Sequence, residues 1–164
     1  MKRVTPSLEG AAGSSLRPGE KRRDLLLYVE DDDENWDVAE YRLSSAYQML
    51  RAPNSREACR LVVEHARDIT AILMDIELRG SELDGIELTT LFRGKTLTRE
   101  LPAYARNVPT ITNPIIFVTA HGVRYSDVEL MLFGADKVIP KPVKFDALSL
   151  ALTSLQLAQA LRGR

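Results

Sequence analysis

The stretch Ala71-Ile72-Leu73-Met74-Asp75-Ile76-Glu77-Leu78 embeds one carboxylate in a run of apolar residues. A run of about four to eight apolar residues between polar turn residues reads as a strand covered on both faces, as in the middle of a parallel sheet. Ligand chemistry in such sheets gathers at the carboxyl ends of the strands. A carboxylate delivered there is costly to bury unpaired, so Asp75 calls for a cation or a hydrogen-bonding partner. Asp75 is therefore the chemical centre from which the chain is read outward.

Upstream, Leu25-Leu26-Leu27-Tyr28-Val29 forms a first strand and runs into five consecutive acids, Glu30-Asp31-Asp32-Asp33-Glu34. A helix follows, with Val38, Ala39 and Leu43 among its apolar positions. Asp at an N-cap and acids in a first turn meet the free N–H groups and the positive end of the helix dipole. That accounts for Asp32, Asp33 and Glu34. It leaves Glu30 and Asp31, which complete the strand, and clustered carboxylate oxygens there suit a hard cation. Residues 47–52 form a short strand. Ser55 then caps a helix to about residue 67, with Ala58, Cys59, Val62 and Ala66 facing inward.

Downstream, Asp84-Gly85 opens a helix through Ile86, Leu88, Leu91 and Phe92 that ends at Gly94. Residues 94–113 make a long connection containing Pro102 and Pro109, with a short turn of helix expected around 99–104. Such loops are often functional, so partner specificity and a tolerated insertion both stand as readings. Residues 114–118 are a fourth strand that hands Thr119-Ala120-His121-Gly122 to its carboxyl end. A helix over 125–133, a strand over 137–140, Lys141-Pro142 and a last helix over 143–161 complete the chain. Five strands alternating with five helices predict a parallel sheet covered on both faces by right-handed crossovers.

At 164 residues the chain suits one domain plus a tail. Residues 1–23 are rich in Gly, Ser and Pro and end in Lys21-Arg22-Arg23, a composition that predicts a disordered tail before a domain over 24–164. The 22 basic and 23 acidic side chains nearly cancel, so no global field draws the chain to nucleic acid or an anionic membrane. The single Cys59 excludes an intramolecular disulfide. No stretch approaches a membrane span, and the expectation is a soluble cytoplasmic protein.

Taken together, the strand ends carry Tyr-Val-Glu-Asp-Asp at 28–32, Leu-Met-Asp at 73–75, Val-Thr-Ala at 118–120 and Lys-Pro at 141–142, with Asp-Gly at 84–85. In that order they resemble a response regulator receiver domain over roughly residues 24–161. The resemblance implies a flavodoxin-like, doubly wound five-stranded sheet of order 2-1-3-4-5, with the site at the point where that order reverses. It implies a cis bond before Pro142. It implies Asp75 as acceptor of a phosphoryl group from a histidine kinase, a phosphotransfer protein or a small phosphodonor. Mg2+ would be held by Glu30, Asp31, Asp75 and the backbone carbonyl of Glu77. Lys141 would pair with Asp75, and Thr119 would donate its hydroxyl to the phosphoryl group. Glu77 and His121 occupy positions that tune hydrolysis of the acyl phosphate. The output would be read by a separate protein at the fourth helix, fifth strand and fifth helix. No output domain is encoded in the chain, so the expectation is a stand-alone phosphoacceptor domain rather than a conventional enzyme.

Two departures bear on that expectation. Val138 stands where the family carries an aromatic switch residue, and the loop Leu78-Arg79-Gly80-Ser81-Glu82-Leu83 is lengthened and lacks the common Met-Pro pair. They support an alternative, a receiver-like scaffold that binds its partner regardless of phosphorylation. A phosphatase or transferase with Glu77 as general acid is a third reading, against which the Lys-Pro and Thr-Ala settings argue. DNA binding is not expected, given the near-neutral charge and the lack of a recognition helix. Trp36 reads either as a docking anchor for a kinase or as a packed side chain. The run Leu130-Met131-Leu132-Phe133 cannot be buried whole under one sheet. With a second stripe of Leu150, Leu157 and Leu161 on the last helix beside Leu148, Leu152 and Leu155, it suggests a homodimer or partner face.

Overall fold

The computed structural model describes residues 22–120 and 124–163. The order is β1 (Asp24–Val29), α1 (Asp33–Leu43), β2 (Tyr47–Ala52), α2 (Ser55–His65), β3 (Ile69–Met74), α3 (Gly85–Phe92), β4 (Ile115–Ala120), α4 (Asp127–Leu132), β5 (Lys137–Lys141) and α5 (Phe145–Arg162). The strands form one parallel sheet in the order β2-β1-β3-β4-β5. This is the expected flavodoxin-like arrangement. Residues 1–21 of the tail and His121 lie outside the described residues.

The three central strands are apolar on both faces because each face meets helices. Leu25, Leu27, Val29, Ile72, Met74, Ile115 and Phe117 belong to the larger core, with α2, α3 and Leu130 of α4. Their alternates Leu26, Tyr28, Ala71, Leu73, Ile116 and Val118 belong to the second core, with α1 and α5. Burial of Cys59 in the larger core pushes its thiol up to about 12, so it is inert at neutral pH.

Several boundaries move for local reasons. The apolar run over 71–78 reads as a strand that brings Asp75 to its end, and β3 runs from Ile69, paired with Leu25, to Met74, directly before Asp75. Its last rung is the Asp75 N–H donating to Val29 O at 3.0 Å, after which the chain turns and the Gly85 N–H donates to Ile76 O at 2.9 Å. Ile76 and Leu78 remain buried in that loop, which explains their apolar pattern without a strand. Asn54, not Ser55, caps α2, accepting from the Glu57 N–H. Ser55 is the first helical residue and is buried; its Oγ accepts from the Leu83 N–H and lies 2.7 Å from the Tyr104 hydroxyl. Helix α4 starts at Asp127 behind a Ser126 capping box, two residues later than expected. Helix α5 starts at Phe145 rather than at 143.

The connection over 94–113 is packed rather than free. It contains a 3-10 turn, Ala103–Ala105, and buries Ala105 and Ile111 in the larger core. Arg93 ties down its far end, donating to Ile111 O at 2.7 Å and Asn113 O at 3.0 Å. In α4, Leu130 is buried while Met131 and Leu132 are exposed, as the four-residue apolar run required. Leu150, Leu157 and Leu161 of α5 are likewise exposed. Among the described residues, no helix is long and apolar enough to cross a membrane.

Candidate functional site

The sheet reverses its order of assembly between β1 and β3, which leaves a crevice at their carboxyl ends. Glu30 follows β1 and Asp75 follows β3. Lys141 ends β5, reaching over β4 to the same place.

Its ammonium donates to Glu30 Oε2 at 2.7 Å and to Asp75 Oδ2 at 2.8 Å. The Glu30 side chain is fully buried, and those of Asp75 and Lys141 are 8% and 15% exposed. Glu30 is satisfied on both oxygens. Oε1 accepts from the Asp32 N–H at 3.0 Å, and Oε2 also accepts from the Tyr28 hydroxyl at 2.9 Å. Asp75 Oδ1 is less engaged, accepting only from the Glu77 N–H at 3.3 Å among the described contacts. Asp31 is partly exposed, and its Oδ2 accepts from the Arg79 N–H at 3.2 Å and from Arg79 Nε at 3.0 Å. One oxygen each of Glu30, Asp31 and Asp75 lie within 4.8 Å of one another, so this donor set fits a small hard cation.

Burial raises the Asp75 carboxyl to about 6, a rise that the bonds from Lys141 oppose and the nearby Glu30 charge reinforces. Burial alone would lower the Lys141 ammonium, but the bonds to Asp75 and Glu30 outweigh it and hold it above its ordinary value. A carboxyl whose pKa is higher in the folded state binds its proton more tightly there. The metal-free fold should therefore lose stability as pH rises from about 4 to about 6, with a contribution from Asp75 of about 1–3 kcal/mol. Urea unfolding at a series of pH values checks this. Asp75→Asn should flatten the slope and leave the variant more stable than the parent at pH 7.

Thr119 is the penultimate residue of β4 and is buried, its hydroxyl donating to Ala120 O at 3.3 Å. With Glu77, Arg79 and Arg124 it lines a cavity of about 270 Å3. Thus Glu30, Asp31, Asp75 and Lys141 form one cluster, while Glu77 and Thr119 line the space beside it. Trp36 is half-buried. Its ring lies 6.4 Å from that of Tyr28 and carries the Arg51 guanidinium at 5.9 Å, which makes it a packed side chain of the α1 face.

Three participants escaped the reading of the sequence. Tyr28 lies two residues before Glu30, the strand spacing that puts both side chains on one face; that signal was present. Arg51 stands beside Tyr28 in the β1–β2 register and donates to Glu30 O at 3.2 Å and Asp31 O at 3.1 Å. Arg79 is separated from Asp31 by 48 residues, and only the fold brings them together. Tyr28→Phe should cost about 1–3 kcal/mol, because it removes a donor from a fully buried carboxylate. Chemical denaturation checks it, and a change within about 0.5 kcal/mol would mean that the other donors suffice.

The fold and this cluster define a flavodoxin-like α/β domain with a carboxylate–lysine pocket at its switch point. A profile of the response regulator receiver domain matches residues 26–153. The chain belongs to that family. It is 29% identical over 119 residues to the polar-differentiation response regulator DivK of Brucella anthropi, covering 72% of this chain and 84% of that protein. It is 25% identical over 129 residues to an NtrX-like response regulator of Rickettsia bellii, covering 79% of this chain but only 24% of the relative. The chain thus spans about a quarter of the length of the NtrX-like proteins it matches. Among solved structures, a receiver domain protein from Clostridium thermocellum superposes with a TM-score of 0.68 at 21% identity, over 84% of this chain and 97% of that one. NtrX from Brucella abortus does so with a TM-score of 0.68 at 23% identity, over 85% of this chain and 28% of that one. Both show the shared fold.

Proposed function

We propose that this receiver domain accepts a phosphoryl group on Asp75 from a histidine kinase or phosphotransfer protein, with Mg2+, and signals through altered protein–protein contacts. The observation that carries the reading is the Asp75 carboxylate itself. One oxygen is held by Lys141, while the other, Oδ1, has a single 3.3 Å bond among the described residues, at a site built for charge. Oδ1 is the nucleophile. It forms the new bond to phosphorus as the P–N bond of a phosphohistidine, or the P–O bond of an acyl phosphate, breaks. The leaving group departs with the electron pair. Glu30, Asp31, Asp75 and the Glu77 carbonyl would hold Mg2+, which when bound offsets the repulsion between carboxylate and phosphoryl oxygens.

The residues of the chain supply the rest. Lys141 holds Asp75 in place before transfer and pairs with the phosphoryl oxygens afterwards as a compact point charge. The Thr119 hydroxyl, bonded among the described residues only to the neighbouring Ala120 carbonyl, can turn to the arriving group. The phosphoryl group, with a charge of about −2 in place of the single charge of the carboxylate, then biases the β4–α4 segment from the carboxyl edge of β3. The exposed Met131, Leu132, Leu150 and Leu157 offer the apolar surface that a partner, or a second copy, would read.

Intact mass after incubation with Mg2+ and a small acyl phosphate tests the reading. One phosphoryl group should add to the native chain and none to Asp75→Asn. Val138, half-buried where the family's aromatic switch would stand, favours a second reading as a constitutive scaffold. No adduct from the small donor or from histidine kinases would favour that scaffold.

A further inference from the structure

The metal-facing acid Asp31 already has a cation. Arg79 approaches its Oδ2 twice, with the backbone N–H at 3.2 Å and Nε at 3.0 Å, and its Nη2 reaches Asp32 Oδ2 at 3.2 Å. The residue sits on the lengthened loop after Asp75, and that loop is pinned just beyond it. Ser81 Oγ accepts from the Ser55 N–H at 2.8 Å and donates to Leu83 O at 2.8 Å. Arg99 Nη1 donates to Glu82 O at 3.0 Å. The backbone of Arg79 is therefore kept beside Asp31, while its side chain, 79% exposed, is free to swing into solvent. A guanidinium keeps its charge at every physiological pH, so this competitor is always present.

We infer that Arg79 is a tethered counter-cation that occupies Asp31 in the metal-free protein and must swing away before a divalent cation is held there, so that the loop sets the metal affinity of the site. The inference rests on the metal reading proposed above. A guanidinium left on Asp31 would both engage an oxygen of the donor set and repel a second cation a few ångströms away. Because the Arg79 end of the pair is exposed and water competes for it, the gate is partial. Loss of Arg79 should tighten divalent-cation binding by about three- to tenfold. Screening by salt should narrow the gap between variant and parent.

The test is Mn2+ binding, read from the loss of the free-ion paramagnetic resonance signal, to the native chain, Arg79→Ala, Arg124→Ala and Asp31→Asn at low and at about 0.5 M salt. Arg124 lines the same cavity and serves as a control for removing a nearby charge. The inference expects tighter binding by Arg79→Ala, a change of less than about twofold for Arg124→Ala, and a smaller Arg79 effect at high salt. Equal or weaker binding by Arg79→Ala overturns it while leaving the metal site standing. So does an equal gain in Arg124→Ala, which would reduce the effect to the general field. Absence of Asp31-dependent binding in every chain overturns the metal reading and the inference together.

Discussion

Gly85→Ala is expected to destabilise the fold by about 3–5 kcal/mol and to dislodge the loop that carries Asp75. A Cβ at Gly85 would lie 2.0 Å from the Asp75 carbonyl oxygen, and 2.8 Å from both the Asp75 carbonyl carbon and Ile76 Cα. All three are backbone atoms, so no side chain can rotate out of the way. The contact exists because the start of α3 is drawn against the end of β3, with the Gly85 N–H donating to Ile76 O. Relieving the clash means moving either α3, whose Ile86, Leu88 and Phe92 are in the larger core, or the Asp75 backbone, which is paired with Val29. Urea unfolding measures the loss. A change below about 1 kcal/mol would show that the loop yields more easily than its contacts imply.

Lys141→Met should cost about 3–5 kcal/mol at pH 7, because it leaves two buried carboxylates facing each other without their cation. Glu30 has no exposure through which to recover hydration, and Asp75 has little. The sign of the accompanying pH effect follows. Without the ammonium, which lowers the Asp75 carboxyl in the native chain, that carboxyl rises further. The variant should therefore regain stability as pH falls from above 6 towards about 4, where the shared site takes up a proton. Glu30→Gln in the same chain should return much of the loss, since one of the two uncompensated charges is gone. Unfolding curves for the parent, the single variants and the double variant check this as a cycle. A single-variant loss no larger than that of an exposed ion pair, under about 1 kcal/mol, would mean that water reaches the site.

These effects show where the sequence could and could not be read. The parallel sheet was legible in the alternation of strands and helices, its order only through the family resemblance, and the convergence of Glu30, Asp31, Asp75 and Lys141 in the polar groups that follow apolar runs at the same end of the strands. Strand ends were less so. Ile76 and Leu78 continue the apolar pattern of β3, yet are buried in a loop, and burial leaves the same mark in sequence whether or not the backbone is paired. Asn54 and Ser55 are both good caps. The choice between them is tertiary, because the Ser55 hydroxyl is taken by Leu83 and Tyr104. Arg51 and Arg79 were invisible for the same reason. Their partners at the site lie 20 to 48 residues away in the chain, and a cation on a strand or loop carries no periodic signal of what it will meet.

In the function proposed above, Asp75, and no neighbouring acid, takes the phosphoryl group. Borohydride reduction of the chain after incubation with Mg2+ and a small acyl phosphate converts an aspartyl phosphate to homoserine, which tandem mass spectrometry then locates. The expected result is homoserine at position 75 alone. Conversion at Asp31, Asp32 or Asp84 instead, or none anywhere under conditions that label a known receiver, would contradict it.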